Sequence, residues 1–268
     1  MDSPKECEKK SLCCLENFSD KSAKNAIIAF LIPTQRLKMG FFDTLKEAFA
    51  PPPEEEKPAP KKVYEGNFFT VARTGSEAEV RAALEQGASV FIKNAEHCTP
   101  LMFAAEENTD PGVIRALIEA GAIVEYPTKG GATPLMGAAQ KNKNVEVLQA
   151  LIDAKAQVNK INDIGFTPLI YAAAYNPNPE FTIRLIKAGA NVNFTNKFSR
   201  SVFIYAALNT QNVEILRILL DYGANPNQLD LNKLKAFDIM KKEGKTSADS
   251  EVYKFLQDIE ANGYKKRI

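Results

Sequence analysis

The sequence predicts an all-α solenoid, a row of stacked helix-turn-helix units joined by short β-hairpin fingers. Three observations predict it: a seven-residue motif that recurs at a fixed interval, a second short motif that keeps the same interval, and an apolar stripe at helical spacing between them.

The first motif is Thr99-Pro100-Leu101-Met102-Phe103-Ala104-Ala105, which returns as Thr133-Pro134-Leu135-Met136-Gly137-Ala138-Ala139 and Thr167-Pro168-Leu169-Ile170-Tyr171-Ala172-Ala173, 34 residues apart each time. A degraded copy, Ser201-Val202-Phe203-Ile204-Tyr205-Ala206-Ala207, lies 34 further on, and Phe68 to Ala72 and Lys235 to Met240 extend the series at either end. The second motif runs through Gly87-Ala88, Gly121-Ala122, Lys155-Ala156-Gln157-Val158-Asn159, Gly189-Ala190-Asn191-Val192-Asn193 and Gly223-Ala224-Asn225-Pro226-Asn227.

Each unit follows from these residues. Threonine caps a helix N-terminus with its side-chain oxygen, proline is tolerated at the first helical position, and the alanine pair allows close helix packing. A loop such as Lys141 to Asn144 leads to a second helix, Val145 to Ala154, striped by Val147, Leu148, Leu151 and Ile152. Gly87, Gly121, Gly189 and Gly223 end such helices in a left-handed residue, and the turn-rich residues that follow form the finger. No unit buries its apolar face alone, so neighbouring units must stack.

These motifs resemble those of the ankyrin-repeat family over residues 65 to 263, about six repeats near 65–98, 99–132, 133–166, 167–200, 201–234 and 235–263, within a domain of residues 63–264. The tetratricopeptide repeat shares the interval, but its pattern contains tryptophan and lacks the finger; the chain has no tryptophan. The resemblance implies a usual period of 33, so the additional residue is expected in the loop between the two helices. It also implies a histidine after Thr-Pro-Leu, where this chain has Met102, Met136 and Ile170, so apolar packing is expected there. Lys155, His97 and Ser199 stand at glycine positions, where local strain is expected. Val252, Phe255, Leu256 and Ile259 stripe a last helix that reads as a C-terminal cap.

Composition narrows the function. Lysine and arginine number 34 against 33 acidic residues, which leaves no field to concentrate nucleic acid. Cys7, Cys13, Cys14 and Cys98 do not form a disulfide framework and suit a reducing, cytoplasmic setting. The longest early apolar run, Ala26 to Ile32, is far shorter than a membrane span, and the acidic residues before it do not fit a secretory leader. The single histidine, His97, neighbours Cys98 at a finger tip, where the pair reads as a surface turn rather than a thiol dyad. Phosphate-cradling, dinucleotide-binding and zinc motifs are absent from the sequence, so no enzyme, cofactor or metal site is expected.

The N-terminal quarter divides into an extension, 1–38, expected to be disordered; a short amphipathic helix, 39–50, with Phe42, Leu45 and Phe49 on one face; and a Pro/Glu/Lys-rich linker, 51–62. An alternative start is expected at Met39, which would place Gly40 and Thr44 in a myristoylation pattern. Membrane contact is expected, if anywhere, through residues 39–50, and a membrane-tethered adaptor is the second reading of the chain.

The resemblance implies a monomeric protein-binding scaffold or adaptor that holds a partner protein on the concave surface of fingers and inner helices. Carried onto this chain, that surface holds Lys93, Glu96, Glu106 and Lys129 in its first half. Its second half offers Ile161, Ile164, Phe166, Ala174, Tyr175, Phe198, Arg200, Leu208, Leu229 and Leu231. An apolar patch with aromatic anchors is what a protein-binding hot spot requires. The candidate site is therefore Ile161, Ile164, Phe166, Tyr175, Phe198, Arg200, Leu208, Leu229 and Leu231.

Overall fold

A computed structural model describes residues 64–244 and 250–266. The expected extension 1–38, amphipathic helix 39–50 and linker 51–62 lie outside the described residues.

The described residues form twelve helices in six antiparallel pairs. The inner helices are α1 (Phe68–Thr74), α3 (Pro100–Glu107), α5 (Pro134–Lys141), α7 (Pro168–Tyr175), α9 (Val202–Asn209) and α11 (Ala236–Glu243). The outer ones are α2 (Glu77–Glu85), α4 (Pro111–Glu119), α6 (Val145–Asp153), α8 (Pro179–Lys187), α10 (Val213–Asp221) and α12 (Glu251–Asn262). Proline occupies the first turn of α3, α5 and α7, and Thr99, Thr167 and Ser201 accept the N–H of Met102, Ile170 and Ile204. Thr133 caps nothing.

The paired alanines Ala104/Ala105, Ala138/Ala139, Ala172/Ala173 and Ala206/Ala207 are buried, and one continuous apolar core runs from Phe68 to Leu256. Small side chains let the inner helices pack more closely on one another than the outer helices do. The row of inner helices therefore lies on the concave side of the stack.

The residue beyond the family period sits where expected. Gly75-Ser76 alone joins α1 to α2, whereas Asn108-Thr109-Asp110, Asn142-Lys143-Asn144, Asn176-Pro177-Asn178 and Thr210-Gln211-Asn212 join the next four pairs. In the first three of these links the leading asparagine is buried and ties one pair to the previous one. Asn108 donates to Ala72 O (3.0 Å) and Gly75 O (2.8 Å), Asn142 to Ala105 O and Asn108 O (2.8 Å each), and Asn176 to Ala139 O and Asn142 O (3.1 Å each). Their Oδ1 atoms accept the N–H of Asp110, Asn144 and Asn178, the very residues that cap the following outer helices. One side chain thus satisfies backbone carbonyls that a helix C-terminus leaves open and presets the next helix start.

The second motif has its own ladder. Asn159 donates to Gly189 O and accepts from Asn191 N–H, both at 2.9 Å, and Asn193 repeats the pattern with Gly223 O and Asn225 N–H.

The expected β-hairpin fingers need correction. Among the described residues the fingers hold no strand, and a single isolated bridge, Thr195 with Ser201, is the extent of β pairing. Each finger is a tight turn held by a pair of backbone bonds, as from Thr128 N–H to Ala132 O (2.9 Å) with Gly131 N–H to Thr128 O (3.0 Å), and from Asn162 N–H to Phe166 O (3.0 Å) with Gly165 N–H to Asn162 O (2.9 Å). Neighbouring fingers are joined by bonds such as Lys129 N–H to Glu96 O and Asp163 N–H to Gly130 O, both 3.1 Å. The turn spends the few residues available, so no ladder develops.

Left-handed backbone occurs at His97 (φ 63°), Lys155 (φ 66°) and Ser199 (φ 56°), the glycine replacements, and also at Lys233 (φ 59°), which the sequence reading passed over. Lys233 stands in register with Gly131, Gly165 and Ser199, so the last finger repeats the same turn. Such a conformation costs a residue with a Cβ about 1 kcal/mol or more.

The asparagine ladder generates a stability prediction. Asn142→Ala strips two buried carbonyls of their donors and should lower unfolding stability by about 2–4 kcal/mol. Thr210 occupies the fourth place without an amide, and Thr210→Asn should raise stability by about 1 kcal/mol by adding a rung. Urea titration of both variants checks this; a neutral Asn142→Ala contradicts it.

Candidate functional site

Because every side chain that faces a neighbouring unit is spent on stacking, the fingers and the exposed edge of the inner helices carry what remains available. One register on that edge, Phe103, Gly137, Tyr171 and Tyr205, recurs every 34 residues. Tyr171 and Tyr205 are half-buried and held at their hydroxyls by finger asparagines, Asn162 Nδ2 to Tyr171 Oη at 2.9 Å and Asn196 Nδ2 to Tyr205 Oη at 2.8 Å. The same asparagines shape the fingers, since Asn162 Oδ1 accepts Phe166 N–H (2.8 Å) and Asn196 Oδ1 accepts Phe198 N–H (3.0 Å). Phe166 stands between the tyrosines, edge-on to both, with ring centroids 5.5 Å from Tyr171 and 4.6 Å from Tyr205. Tyr175 extends the row, 6.1 Å from Tyr171. The result is an unbroken aromatic strip, Tyr175, Tyr171, Phe166 and Tyr205, running from the C-terminal end of α7 to the fingers.

Ile161, Ile164, Tyr175, Phe198, Leu229 and Leu231 are exposed, Leu231 to 64%. A cleft of about 450 Å³ beside Tyr205 is walled by Phe198, Arg200, Asp230 and Leu231.

Three expected site residues lie differently. Leu208 is a correction: it is buried, at 6% exposure, because at this register a compact apolar side chain folds into the core. Ala174, one unit earlier, does the same, while Glu106 and Gln140 at that position stay half-exposed. Phe166 is half-buried and supports the two tyrosines. Arg200 is also half-buried and committed to Glu243 (2.9 Å), with the carboxylate of buried Asp230 at 3.9 Å. It frames the cleft more than it reaches out of it.

The first half of the surface is charged, and its charges meet partners within the fold: Lys141 with Glu106 (2.6 Å), Lys129 with Glu96 (4.0 Å) and Arg73 over the Phe103 ring (4.5 Å). Phe91, Ile92 and Ile123 are exposed apolar residues that the sequence reading did not place on a binding surface; they follow outer helices, Ile123 within the second motif itself. Tyr171 and Tyr205 were legible as motif residues, and reading them in register with Phe103 and Gly137 would have placed them on this face.

Burial pushes the Cys98 thiol up, with the nearby Glu106 carboxylate adding to the effect, so it is held away from the thiolate form that reactive cysteines need. Among the described residues no group of three or more His, Cys, Asp or Glu is placed to hold a metal ion, and no helix is long and apolar enough to cross a membrane.

Burial likewise raises the Tyr171 phenol, against the lowering effect of its bond from Asn162. A folded-state pKa above the unfolded value of about 10 means that the neutral phenol's contribution is fully present below that pH. It is lost as pH rises through the folded value. Wild-type stability should therefore fall more steeply above about pH 10 than that of Tyr171→Phe, as denaturant titrations carried upward from neutral pH would show.

The family model "Ankyrin repeats (3 copies)" matches residues 68–162 and 135–230, together well over half of the 268-residue chain. A comparison with curated proteins gave no match. With paired helices, turn fingers and the Thr-Pro-Leu and Gly-Ala motifs all in phase, the chain belongs to the ankyrin-repeat family.

Proposed function

We propose that this protein is a non-catalytic scaffold or adaptor that recognises a partner protein with its concave surface of fingers and inner helices. Ankyrin repeats are generally protein–protein interaction modules, and the family is typically without catalysis. The observation that carries the specific reading is the aromatic strip from Tyr175 to Tyr205 with exposed Ile161, Ile164, Phe198, Leu229 and Leu231 around it. These side chains lie on the face that the stack does not consume. Rigid aromatic anchors bordered by apolar residues supply contact area at small entropic cost.

The pinned tyrosines support this further. Asn162 and Asn196 fix both the finger backbone and the ring beneath it, so the surface is set before any partner arrives, which lowers the ordering cost of binding. Arg200, Phe166 and Asp230 act here as supports, and the contacting residues are Ile161, Ile164, Tyr175, Phe198, Leu229 and Leu231. We further read the protein as cytoplasmic, on the strength of its cysteine usage, and as a monomer.

Affinity capture from native lysate by the full chain, in parallel with a Tyr175→Ala/Phe198→Ala/Leu231→Ala variant, tests this. All three residues are exposed, so the variant should keep the wild-type melting curve within about 1 kcal/mol of stability. A protein held by wild type and lost by the variant is the expected result; equal capture by both would remove the site from this face.

A further inference from the structure

The cleft of about 450 Å³ beside Tyr205 opens between the finger that carries Phe198 and the finger that carries Leu231. A backbone bond from Leu231 N–H to Phe198 O (3.2 Å) holds these two fingers together. Its apolar walls are open to solvent, Phe198 at 49% and Leu231 at 64% exposure. The charges that line it are already spent. Asp230 is buried, its Oδ1 accepting the N–H of Asn232 (2.8 Å) and Leu234 (3.1 Å), and Arg200 is committed to Glu243. The rim is basic and unspent. Lys197 is exposed and holds its Nζ 5.4 Å from the centroid of the Phe198 ring. Lys233 is exposed at the turn beside Asn232, which itself lines the cleft. Neither lysine forms an ion pair among the described residues, whereas Lys129, Lys141 and Arg200 do.

We propose that this cleft receives the aromatic ring of an acidic partner segment, in which aspartate or glutamate flanks the ring and meets Lys197 and Lys233. The inference rests on the reading of the fingers and inner helices as the protein-binding surface and names the partner chemistry at one place on it.

Size and charge select this occupant. The volume suits one bulky side chain and is too small for a helix. Two exposed apolar walls favour an apolar group over water. Because Phe198 and Tyr205 both line the cleft, a ring gains edge-on or offset contact that a leucine lacks. A carboxylate or phosphate driven inside would meet the Asp230 carboxylate, and a lysine or arginine would meet the Arg200 guanidinium; each would lose its water with the opposite charge already taken. At the rim the two free lysines attract acidic residues and repel basic ones. Charge is therefore read around the ring, and shape within the cleft.

A random-peptide display library selected on the full chain provides the probe. Selected peptides should share a phenylalanine, tyrosine or tryptophan next to aspartate or glutamate. In a synthetic peptide of that consensus, changing the ring to alanine should weaken binding to wild type about tenfold, and should matter little on Leu231→Ser, where a wall is gone. Changing the flanking acids to their amides should weaken binding about three- to fivefold at low salt, less at high salt, and not at all on Lys197→Gln/Lys233→Gln. All three residues are exposed, so both variants should melt as wild type does. If Leu231→Ser shifts the melt, the lysine variant decides. Selection of peptides without a ring, a preference for basic flanks, an acid preference retained on the lysine variant, or tighter binding of a phosphotyrosine peptide than of its tyrosine parent overturns the proposal. Peptides lost on Tyr175→Ala/Ile161→Ser but indifferent to Leu231→Ser and to the lysine variant overturn the cleft alone. Peptides indifferent to all of these substitutions, or no enrichment at all, overturn the surface and the cleft together.

Discussion

Everything else in the structure depends on how one helix pair is held to the next without a sheet, and buried asparagine amides supply much of that hold. At each junction an inner helix ends with open carbonyls facing the neighbouring unit. Asn108, Asn142 and Asn176 reach back to those carbonyls with their amide hydrogens and forward to the next outer helix with their oxygens. A buried group with every donor and acceptor used is worth more than its count of bonds suggests, because any slip would strand polar atoms away from water. Apolar contacts alone tolerate sliding; the amides fix the separation and the register. A second set, Asn159 and Asn193, does the same beyond the outer helices.

With the spacing set in this way, and with the finger backbones bonded to one another, the exposed side chains of the fingers and inner helices are left out of the stacking. The role of asparagine recurs there in a different form, as Asn162 and Asn196 each brace a finger turn and grip a tyrosine hydroxyl. Rings that would otherwise rotate are fixed in a strip, with Phe166 wedged between them. The same repeat that builds the scaffold spaces the recognition side chains.

Much of this architecture was legible in the sequence because repetition makes weak local signals strong. Thr-Pro-Leu and Gly-Ala motifs in phase located the helices and their caps, and the link between helices could be seen to be one residue longer. What the additional residue does was not legible: an asparagine in a loop signals a turn, and only the fold shows its amide buried against the previous unit. In the sequence Leu208 reads as surface because its register begins with Glu106 and Gln140, and the change from polar to apolar there also changes the direction in which the side chain packs. Arg200 reads as a contact because Glu243, its partner, is distant in sequence. Ile161, Ile164, Phe198, Leu229 and Leu231 were easier, since an apolar side chain on a tight turn has little to pack against. The N-terminal expectations lie outside the described residues.

The account's central claim is that stacking and recognition are carried by separate residues, and the most direct test is the unfolding free energy of a chain with Ile161, Ile164, Phe198 and Leu231 all changed to serine. Surface substitutions usually shift stability by no more than about 0.5 kcal/mol each, so the account predicts a cooperative transition within about 2 kcal/mol of wild type. A loss of about 4 kcal/mol or more, or a transition broken into stages, would show that these side chains hold the stack together and would contradict the separation.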